Sequence, residues 1–175
     1  MKKLKNKDLQ RINIVEFKKT KKIQITILLD NVRSTLNVGS IFRTSDAFLI
    51  EKIILCGITA TPPNKGIRKA ALGATNSVEW EYERNTIDAL KKLKQNGYHI
   101  IGVEQTDRSS KLDHFTLANK PIAIIIGNEV NGVSENAIES CDEVLEIPQF
   151  GTKHSLNVSV ATGIVIWELW KKINS

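Results

Sequence analysis

The sequence predicts an α/β domain in which a mainly parallel sheet is layered between helices. Short β-branched runs alternate with helical segments along most of the chain. The first run, Ile23–Asp30, is followed by a helical segment and then by Lys52–Cys56, which is close enough for a parallel strand–helix–strand unit. Pro121–Ile126 is an almost unbroken apolar run, which is typical of a central parallel strand covered on both faces.

The composition fits one folded domain of 175 residues. A net charge of +6 favours an anionic partner such as nucleic acid. Cys56 and Cys141 are too few and too far apart for a disulfide framework or a metal site, so we expect a reducing cytoplasm and no metal. We see neither a signal peptide nor an apolar run long enough to cross a bilayer, and we therefore expect a soluble protein without a membrane partner.

Residues 1–22 are predicted to be a basic N-terminal extension, and residues 23–175 to be the folded domain. The extension is rich in lysine, with interspersed apolar residues that are compatible with a short amphipathic helix. Two interpretations of it stay open, a solvated terminal arm and an arm that touches RNA.

After the first strand, Asn37–Phe48 shows the apolar spacing of a helix, with Ser34 or Asn37 as the candidate N-cap. Gly57–Gly73 predicts a long connection, and long loops in compact domains are often functional. Val78–Tyr82 predicts a short strand.

The second half of the chain continues the alternation. Thr86–Gln95 is an amphipathic helix with Thr86 as its candidate cap, and His99–Val103 is a strand. Ser109–Lys120 is irregular. Glu135–Ser140 predicts a short helix, and Glu143–Ile147 predicts the last strand.

The stretch Ile147–Ala161 joins the last strand to a long apolar segment through a proline and a glycine, which require a sharp turn. Ser155 and Asn157 are residue types that cap helix N-termini. A helix as apolar as Val158–Trp170 must be buried against the domain or against a partner subunit. Polar side chains between a strand and a buried helix indicate a site, although an ordinary capped turn also explains this pattern.

Two common nucleotide-binding motifs are absent from the sequence. There is no G-x-G-x-x-G after the first strand and no G-x-x-x-x-G-K-[ST] anywhere. Glycines instead follow the late strands, at Gly127, Gly132 and Gly151. Any ligand cradle is therefore expected in the C-terminal half.

Three motifs, in order and at family-like spacing, resemble the SpoU (TrmH-like) family of the SPOUT superfamily, the trefoil-knotted RNA ribose 2′-O-methyltransferases. The motifs are Asn37–Thr44 (NVGSIFRT), Ile126–Gly132 (IGNEVNG), and Ile147–Gln149 leading to Ser155–Ser159 (SLNVS). The resemblance covers about residues 25–170. Val130 stands where the family usually has Gly, and Gln149 where it often has Met; neither position is expected to act through its side chain.

The resemblance implies a layered SPOUT fold with a C-terminal trefoil knot, a homodimer, and S-adenosyl-L-methionine held mainly by backbone groups of the late loops. The implied cofactor contacts are Gly127, Ile147 and Leu156, and Glu104 is expected to border the same pocket. A glycine at position 127 would let the backbone approach the ligand without a Cβ in the way. A plain turn glycine is the alternative interpretation.

The catalytic residues that the resemblance implies are Asn37, Arg43, Glu129, Ser155 and Asn157. Arg43 matches the essential family arginine, and helical spacing places it near the start of its helix. We expect it to clamp an RNA phosphate rather than act as the base, because arginine stays protonated in proteins. The amides and Ser155 are expected to orient Arg43 and the ribose, with helix capping as their alternative role. Glu129 has the alternative role of a helix-start carboxylate.

Three functions follow from the resemblance. The first is an RNA 2′-O-ribose methyltransferase acting on tRNA or rRNA, the second a base-methylating relative, and the third a non-catalytic RNA-binding or assembly factor. The first motif disfavours the second function, and the retained Arg43 and cofactor glycines disfavour the third. The chain shows no separate RNA-binding domain of the kind that many relatives carry before this fold. We therefore expect the basic arm and Lys65–Lys69 to contact phosphates, with Lys153 and His154 lining the RNA path.

Overall fold

The computed structural model describes residues 1–5 and 8–174, and within them seven strands form one sheet. The strands are β1 (Ile23–Asp30), β2 (Ile50–Cys56), β3 (Glu79–Glu83), β4 (His99–Val103), β5 (Ser110–Lys111), β6 (Ile122–Ile126) and β7 (Glu143–Glu146). Their order across the sheet is β3-β2-β1-β6-β4-β7-β5, and the pairs between these described strands are all parallel. The predicted α/β class with a parallel sheet is confirmed.

Helices cover both faces of the sheet, as a three-layer domain requires. They are α1 (Ile14–Lys19), α2 (Thr35–Ala47), α3 (Lys65–Ala71), α4 (Thr86–Gln95), α5 (Glu135–Glu139) and α6 (Val158–Ile173). Successive side chains of a strand point to opposite faces. Accordingly, Ile27 and Leu29 belong to the core under α1, α2, α3 and α6, whereas Leu28 belongs to the core under α4 and α5.

The centre of the sheet positions the functional region. β6 lies between β1 and β4, and its five residues are all buried. The strand order turns back at this point, since β2 and β3 extend to one side and β4 and β7 to the other. In parallel sheets, ligands bind beyond the carboxyl ends of the strands at such a reversal.

One predicted loop contains a helix. Within Gly57–Gly73, the segment Lys65–Ala71 forms α3, and the Asn64 side chain caps it by accepting hydrogen bonds from the N–H groups of Gly66 and Ile67 at 2.9 and 3.3 Å. The prolines and glycines around this short helix masked its capping signal. A Cβ on Gly39 would lie 2.5 Å from the carbonyl oxygen of Ile67, so α2 and α3 can pack this closely only because residue 39 is glycine.

One predicted helix cap is wrong. The cap of α4 is Asn85, whose side chain accepts a hydrogen bond from the N–H of Ile87 at 2.8 Å. The Thr86 hydroxyl instead donates a hydrogen bond to the Asp30 carboxylate, and the Thr86 side chain therefore points towards the sheet. Ser34 caps α2, as the sequence suggested. The remaining predicted bounds agree with the structure to within two residues, and α6 continues to Ile173. Ser109–Lys120, which was predicted to be irregular, contains the strand β5 (Ser110–Lys111), whose two exposed residues are too few to show a strand pattern in the sequence.

The basic extension contacts the core through Phe17. Its helix α1 covers only six residues and begins with a reciprocal pair of hydrogen bonds between Asn13 and Glu16. Phe17 is buried in the core on the α2 side of the sheet. In the part of the chain that the structure describes, no helix is long and apolar enough to cross a membrane.

Candidate active site

A cavity of about 580 Å³ lies beyond the carboxyl ends of β4, β6 and β7. Its floor comes from the ends of these strands, at Val103, Ile126 and Leu145. Its walls come from two loops, residues 127–134, which we call the glycine loop, and residues 148–157, which we call the rim loop. The volume lies within the range of small-molecule and cofactor sites.

The glycine loop folds back on itself directly after β6. The backbones of Asn128 and Gly132 exchange two hydrogen bonds of 2.9 Å. A Cβ on Gly127 would lie 2.1 Å from backbone atoms of Gly132 and Val133, so the loop packs against residue 127 itself. Gly127 lines the cavity, but the space beside its Cα is filled by this loop rather than left for a ligand.

Glu104 lines the cavity and also supports the glycine loop. Its carboxylate accepts hydrogen bonds from the N–H of Gln105 at 2.9 Å and of Val133 at 3.1 Å. A Cβ on Gly132 would lie 2.0 Å from one of the same carboxylate oxygens. Glu104 therefore ties the end of β4 to the loop that follows β6.

Asp30, at the end of β1, supports the candidate site and was not singled out from the sequence. It is 1% exposed, and its carboxylate accepts hydrogen bonds from Thr86 Oγ1 (2.6 Å), Asn31 Nδ2 (2.8 Å), and Ser134 N and Oγ (3.0 and 2.7 Å). A buried carboxylate needs such partners. The signal was available as the one acidic residue ending an apolar strand, IQITILLD. Asp30 anchors the far end of the glycine loop.

Three of the predicted catalytic residues meet in one hydrogen-bond network. The Glu129 carboxylate accepts from the N–H of Arg33 at 2.9 Å, the N–H of Ser34 at 2.9 Å and Asn37 Nδ2 at 3.1 Å. Asn37 Oδ1 in turn accepts from Asn157 Nδ2 at 3.2 Å. The network thus joins the glycine loop, the start of α2 and the start of α6.

The network keeps Glu129 ionised. Partial burial acts to raise the pKa of Glu129, but the hydrogen bonds from the N–H groups of Arg33, Ser34 and its own backbone, and from Asn37, outweigh it and lower the pKa. The alternative role of a helix-start carboxylate is fulfilled at α2, because Glu129 accepts from backbone groups directly before that helix.

Arg43 lies away from the start of its helix, contrary to the expectation from its spacing. α2 begins at Thr35, which puts Arg43 in the third turn, about 9 Å beyond Asn37 along the axis. Its side chain is exposed and does not line the cavity. Leu36, seven residues earlier on the same side of α2, is also exposed.

The rim loop brings the remaining predicted residues to the cavity. Ser155 and Leu156 of this loop line the cavity together with Ile147, which directly precedes the loop, and Ser155 is exposed. Gln105, which the sequence analysis did not single out, donates a 2.8 Å hydrogen bond from Nε2 to the carbonyl oxygen of His154. This bond ties the rim loop to the segment after β4 across the cavity.

Asn157 combines two roles. Its Oδ1 caps α6 by accepting from the N–H groups of Ser159 and Val160 at 2.9 and 3.3 Å, while its Nδ2 reaches Asn37. The predicted capping role and membership of the site are therefore compatible in this residue. Among residues 1–5 and 8–174, no group of three or more His, Cys, Asp and Glu side chains is placed to hold a metal ion.

Comparison with known proteins identifies relatives along nearly the whole chain. The profile of the SpoU rRNA Methylase family matches residues 24–167. The 23S rRNA (guanosine-2′-O-)-methyltransferase RlmB of Blochmanniella floridana is 33% identical over 157 residues, which are 89% of this chain and 61% of the relative. The chain spans only about three fifths of the length of the curated relatives it matches.

Solved structures agree with this comparison. The AdoMet-bound rRNA methyltransferase from Sinorhizobium meliloti superposes with a TM-score of 0.82 at 27% identity, covering 91% of this chain and 61% of that one. The TrmH/SpoU tRNA-modifying enzyme of A. aeolicus superposes with a TM-score of 0.81 at 26% identity, covering 92% of this chain and 82% of that one.

Proposed function

The chain belongs to the SpoU rRNA Methylase family, and from this membership and its site we propose that it is an RNA methyltransferase that uses S-adenosyl-L-methionine to methylate a ribose 2′-OH of tRNA or rRNA in the cytoplasm. One observation carries the proposal. Residues of the second and third motifs line one cavity, and Asn37 of the first motif is joined to them by hydrogen bonds with Glu129 and Asn157, although the three motifs are far apart in the sequence.

The cavity fits the proposed cofactor in size and chemistry. Ile147 and Leu156 offer apolar contact to an adenine ring, and the two loops offer backbone polar groups beside Gly127. Glu104 lines the same space, although its carboxylate already accepts two backbone hydrogen bonds. When bound, S-adenosyl-L-methionine supplies an electrophilic methyl group on its sulfonium.

The protein's part in the reaction is mainly positioning. We assign Asn37 and Asn157 to orienting the ribose, because each amide is fixed by a hydrogen bond to its neighbour in the network. The Ser155 hydroxyl lies at the rim of the cavity, within reach of a bound nucleotide. Glu129 holds the two motif loops in register. Arg43 is assigned to an RNA phosphate, which its exposure and permanent charge permit.

We further propose a homodimer. α6 exposes Val160, Ile164 and Trp167, which recur at i, i+4 and i+7 and so form one stripe. Trp167 is 49% exposed, a large apolar surface to leave in water. Dimerisation through this stripe would cover it. Arg43 and Leu36 lie on α2, the helix packed beside α6, so the same association would bring Arg43 close to the partner subunit.

The proposed fold is the SPOUT fold with a C-terminal trefoil knot, built by residues 23–175 behind the basic extension of residues 1–22. The path of the chain supports the knot. The chain leaves the central strand β6 through the glycine loop, forms β7 outside β4, and then returns through the rim loop to pack α6 against α2. Chain tracing in an experimental structure tests it. The extension and the basic helix α3 are the proposed contacts for RNA phosphates.

Calorimetry with S-adenosyl-L-methionine, together with transfer of a labelled methyl group to bulk tRNA and rRNA, tests the proposed function. We expect binding of the cofactor and label in nuclease-resistant dinucleotides, because a 2′-O-methyl group blocks cleavage at the neighbouring phosphate. Label confined to bases would favour the base-methylating alternative. Cofactor binding without transfer to either RNA pool would contradict the proposed activity.

A further inference from the structure

Phe150, at the tip of the rim loop, is the exception among the phenylalanines of this chain. It is 97% exposed, so its ring makes almost no contact with the rest of the protein. The other four are packed inside the domain or against tryptophans: Phe17, Phe42, Phe48 and Phe115. An aromatic ring held in water at the edge of a site indicates a partner that covers it.

Phe150 belongs to a loop that lines part of the cavity. Gln149, directly before it, and His154, four residues after it, both line the cavity. The hydrogen bond from Gln105 to the carbonyl oxygen of His154 ties the loop down on that side. Phe150 therefore lies beside the cavity, in a loop that is tied to the segment after β4 through His154.

The basic residues near Phe150 favour an anionic partner. The rim loop contains Lys153 and His154 and no carboxylate, and both side chains are exposed. An exposed aromatic ring beside a cation is the combination that binds single-stranded nucleic acid, since the ring stacks on a base and the cation meets the flanking phosphate.

A second copy of the chain fits this surface less well. Stable interfaces need a contiguous patch of roughly 800 Å² on each partner. The residues next to Phe150 in the loop are Gly151, Thr152 and Lys153, which offer no apolar continuation. The apolar stripe of Val160, Ile164 and Trp167 on α6 is a better candidate for contact with a second copy.

We propose that Phe150 is a base-stacking residue for the RNA substrate, taking the base of a nucleotide next to the one whose ribose enters the cavity, with Lys153 at the adjoining phosphate. This inference rests on the proposed function, because it assumes an RNA ligand. The proposed contact is stacking of the Phe150 ring on an RNA base. It requires neither the bound cofactor nor methyl transfer.

The test compares three substitutions in the full chain, Phe150→Ala, Phe150→Leu and Phe150→Tyr. The probe is a fluorescent single-stranded RNA oligonucleotide of mixed sequence, titrated at several salt concentrations and followed by anisotropy. We expect Phe150→Ala and Phe150→Leu each to weaken binding about tenfold, the effect of one stacked base, and Phe150→Tyr to restore it. The slope of log K against log salt should not change in any of the three, because no phosphate contact is lost.

Lys153→Gln is the matched control for charge. We expect it to reduce that salt slope by about 0.7, the contribution of one phosphate on a single strand. Sedimentation and cofactor calorimetry of every variant should equal those of the unsubstituted protein. Normal affinity in Phe150→Ala or in Phe150→Leu, or no binding of the oligonucleotide by the unsubstituted protein, would overturn the stacking role. Loss of the oligomer in Phe150→Ala would assign the ring to a second copy. Methyl transfer to bulk RNA is scored separately and tests only the proposed function.

Discussion

At the scale of single residues, the site depends on side chains that both donate and accept hydrogen bonds. Asn37 donates through Nδ2 to Glu129 and accepts through Oδ1 from Asn157, so one amide links two loops. Glu129 needs a negative charge because its partners are all donors. A neutral side chain at position 129, or a shorter one at position 37, would leave polar groups of the network without their hydrogen-bond partners.

Glu129→Gln tests the charge. The amide keeps the shape but places a donor against N–H groups, so we expect turnover to fall severalfold at pH 7 and the melting temperature to drop slightly. The lowered pKa of Glu129 means that its stabilising contribution is complete above the ordinary glutamate pKa and disappears as the pH falls through the lowered value. The difference in melting temperature between the unsubstituted protein and Glu129→Gln should therefore disappear in strongly acidic solution. Melting curves from pH 7 to pH 3 measure this; a constant difference would contradict it.

Arg43→Ala separates chemistry from cofactor binding. Because Arg43 lies outside the cavity, we expect calorimetry with S-adenosyl-L-methionine to be unchanged. Loss of a phosphate clamp that acts in the transition state should lower turnover by about a hundredfold or more. Arg43→Lys should recover only part of the rate, since lysine lacks the planar fork. Lys91→Ala, an exposed cation on α4 across the sheet, is the control. Near-normal transfer by Arg43→Ala would remove Arg43 from the mechanism.

At the scale of elements, the glycine loop is preformed rather than shaped by a ligand. Asn128 reaches the carbonyl oxygen of Asn31 at 2.7 Å, Glu104 accepts from Val133, and Asp30 accepts from Ser134. These hydrogen bonds hold the loop near its start, at Asn128, and at its end, at Val133 and Ser134. Preformed loops bind ligands without the entropic cost of ordering them.

Gly127→Ala tests the packing of this loop. The added Cβ would meet backbone atoms of Gly132 and Val133, which cannot move aside as a flexible side chain would. We expect a lower melting temperature and at least tenfold weaker cofactor binding by calorimetry. Gly151→Ala in the rim loop is the matched control, because nothing lies within 4 Å of its added Cβ. Equal cofactor affinity in the two variants would show that the geometry of the glycine loop does not control the cavity.

At the scale of the whole molecule, the two faces of the sheet differ. α4 covers its side with an amphipathic surface that keeps lysines in solvent. On the other side, the outer surface of α6 is apolar, and Trp167 stacks on Trp170 with ring centroids 5.3 Å apart and meets Phe48 edge-on. These aromatic contacts preorganise an exposed apolar surface, as expected of a subunit interface.

Trp167→Asp tests the proposed dimer. A carboxylate in place of the largest side chain of this stripe would have to be desolvated on association, so we expect monomers in sedimentation and little methyl transfer. Tyr82→Asp is the control, since Tyr82 is 47% exposed, close to the 49% of Trp167, but lies on the edge strand β3. A dimer in Trp167→Asp would contradict the proposed interface, and full methyl transfer by a Trp167→Asp monomer would show that activity does not need the dimer.

The α/β class and most of the strands and helices could be predicted from the sequence alone, whereas helix α3 and the short strand β5 could not. Strands such as Ile23–Asp30 and His99–Val103 were predicted at their observed bounds, because hydrophobic periodicity and turn residues act over a few positions. The motif residues near the cavity were also predicted, because each motif is contiguous in the chain. Helix α3 was missed since its capping asparagine is embedded among prolines and glycines.

The contacts between distant parts of the chain became apparent only in the tertiary structure. Glu129 finds its partners 92 to 96 residues away, Asn157 finds Asn37 120 residues away, and Asp30 finds Ser134 104 residues away. No local pattern encodes such pairs, because they arise when parallel strands bring remote loops to one edge of the sheet. For the same reason, the sequence placed Arg43 in a motif, while the helix that carries it placed its side chain in solvent, away from the cavity.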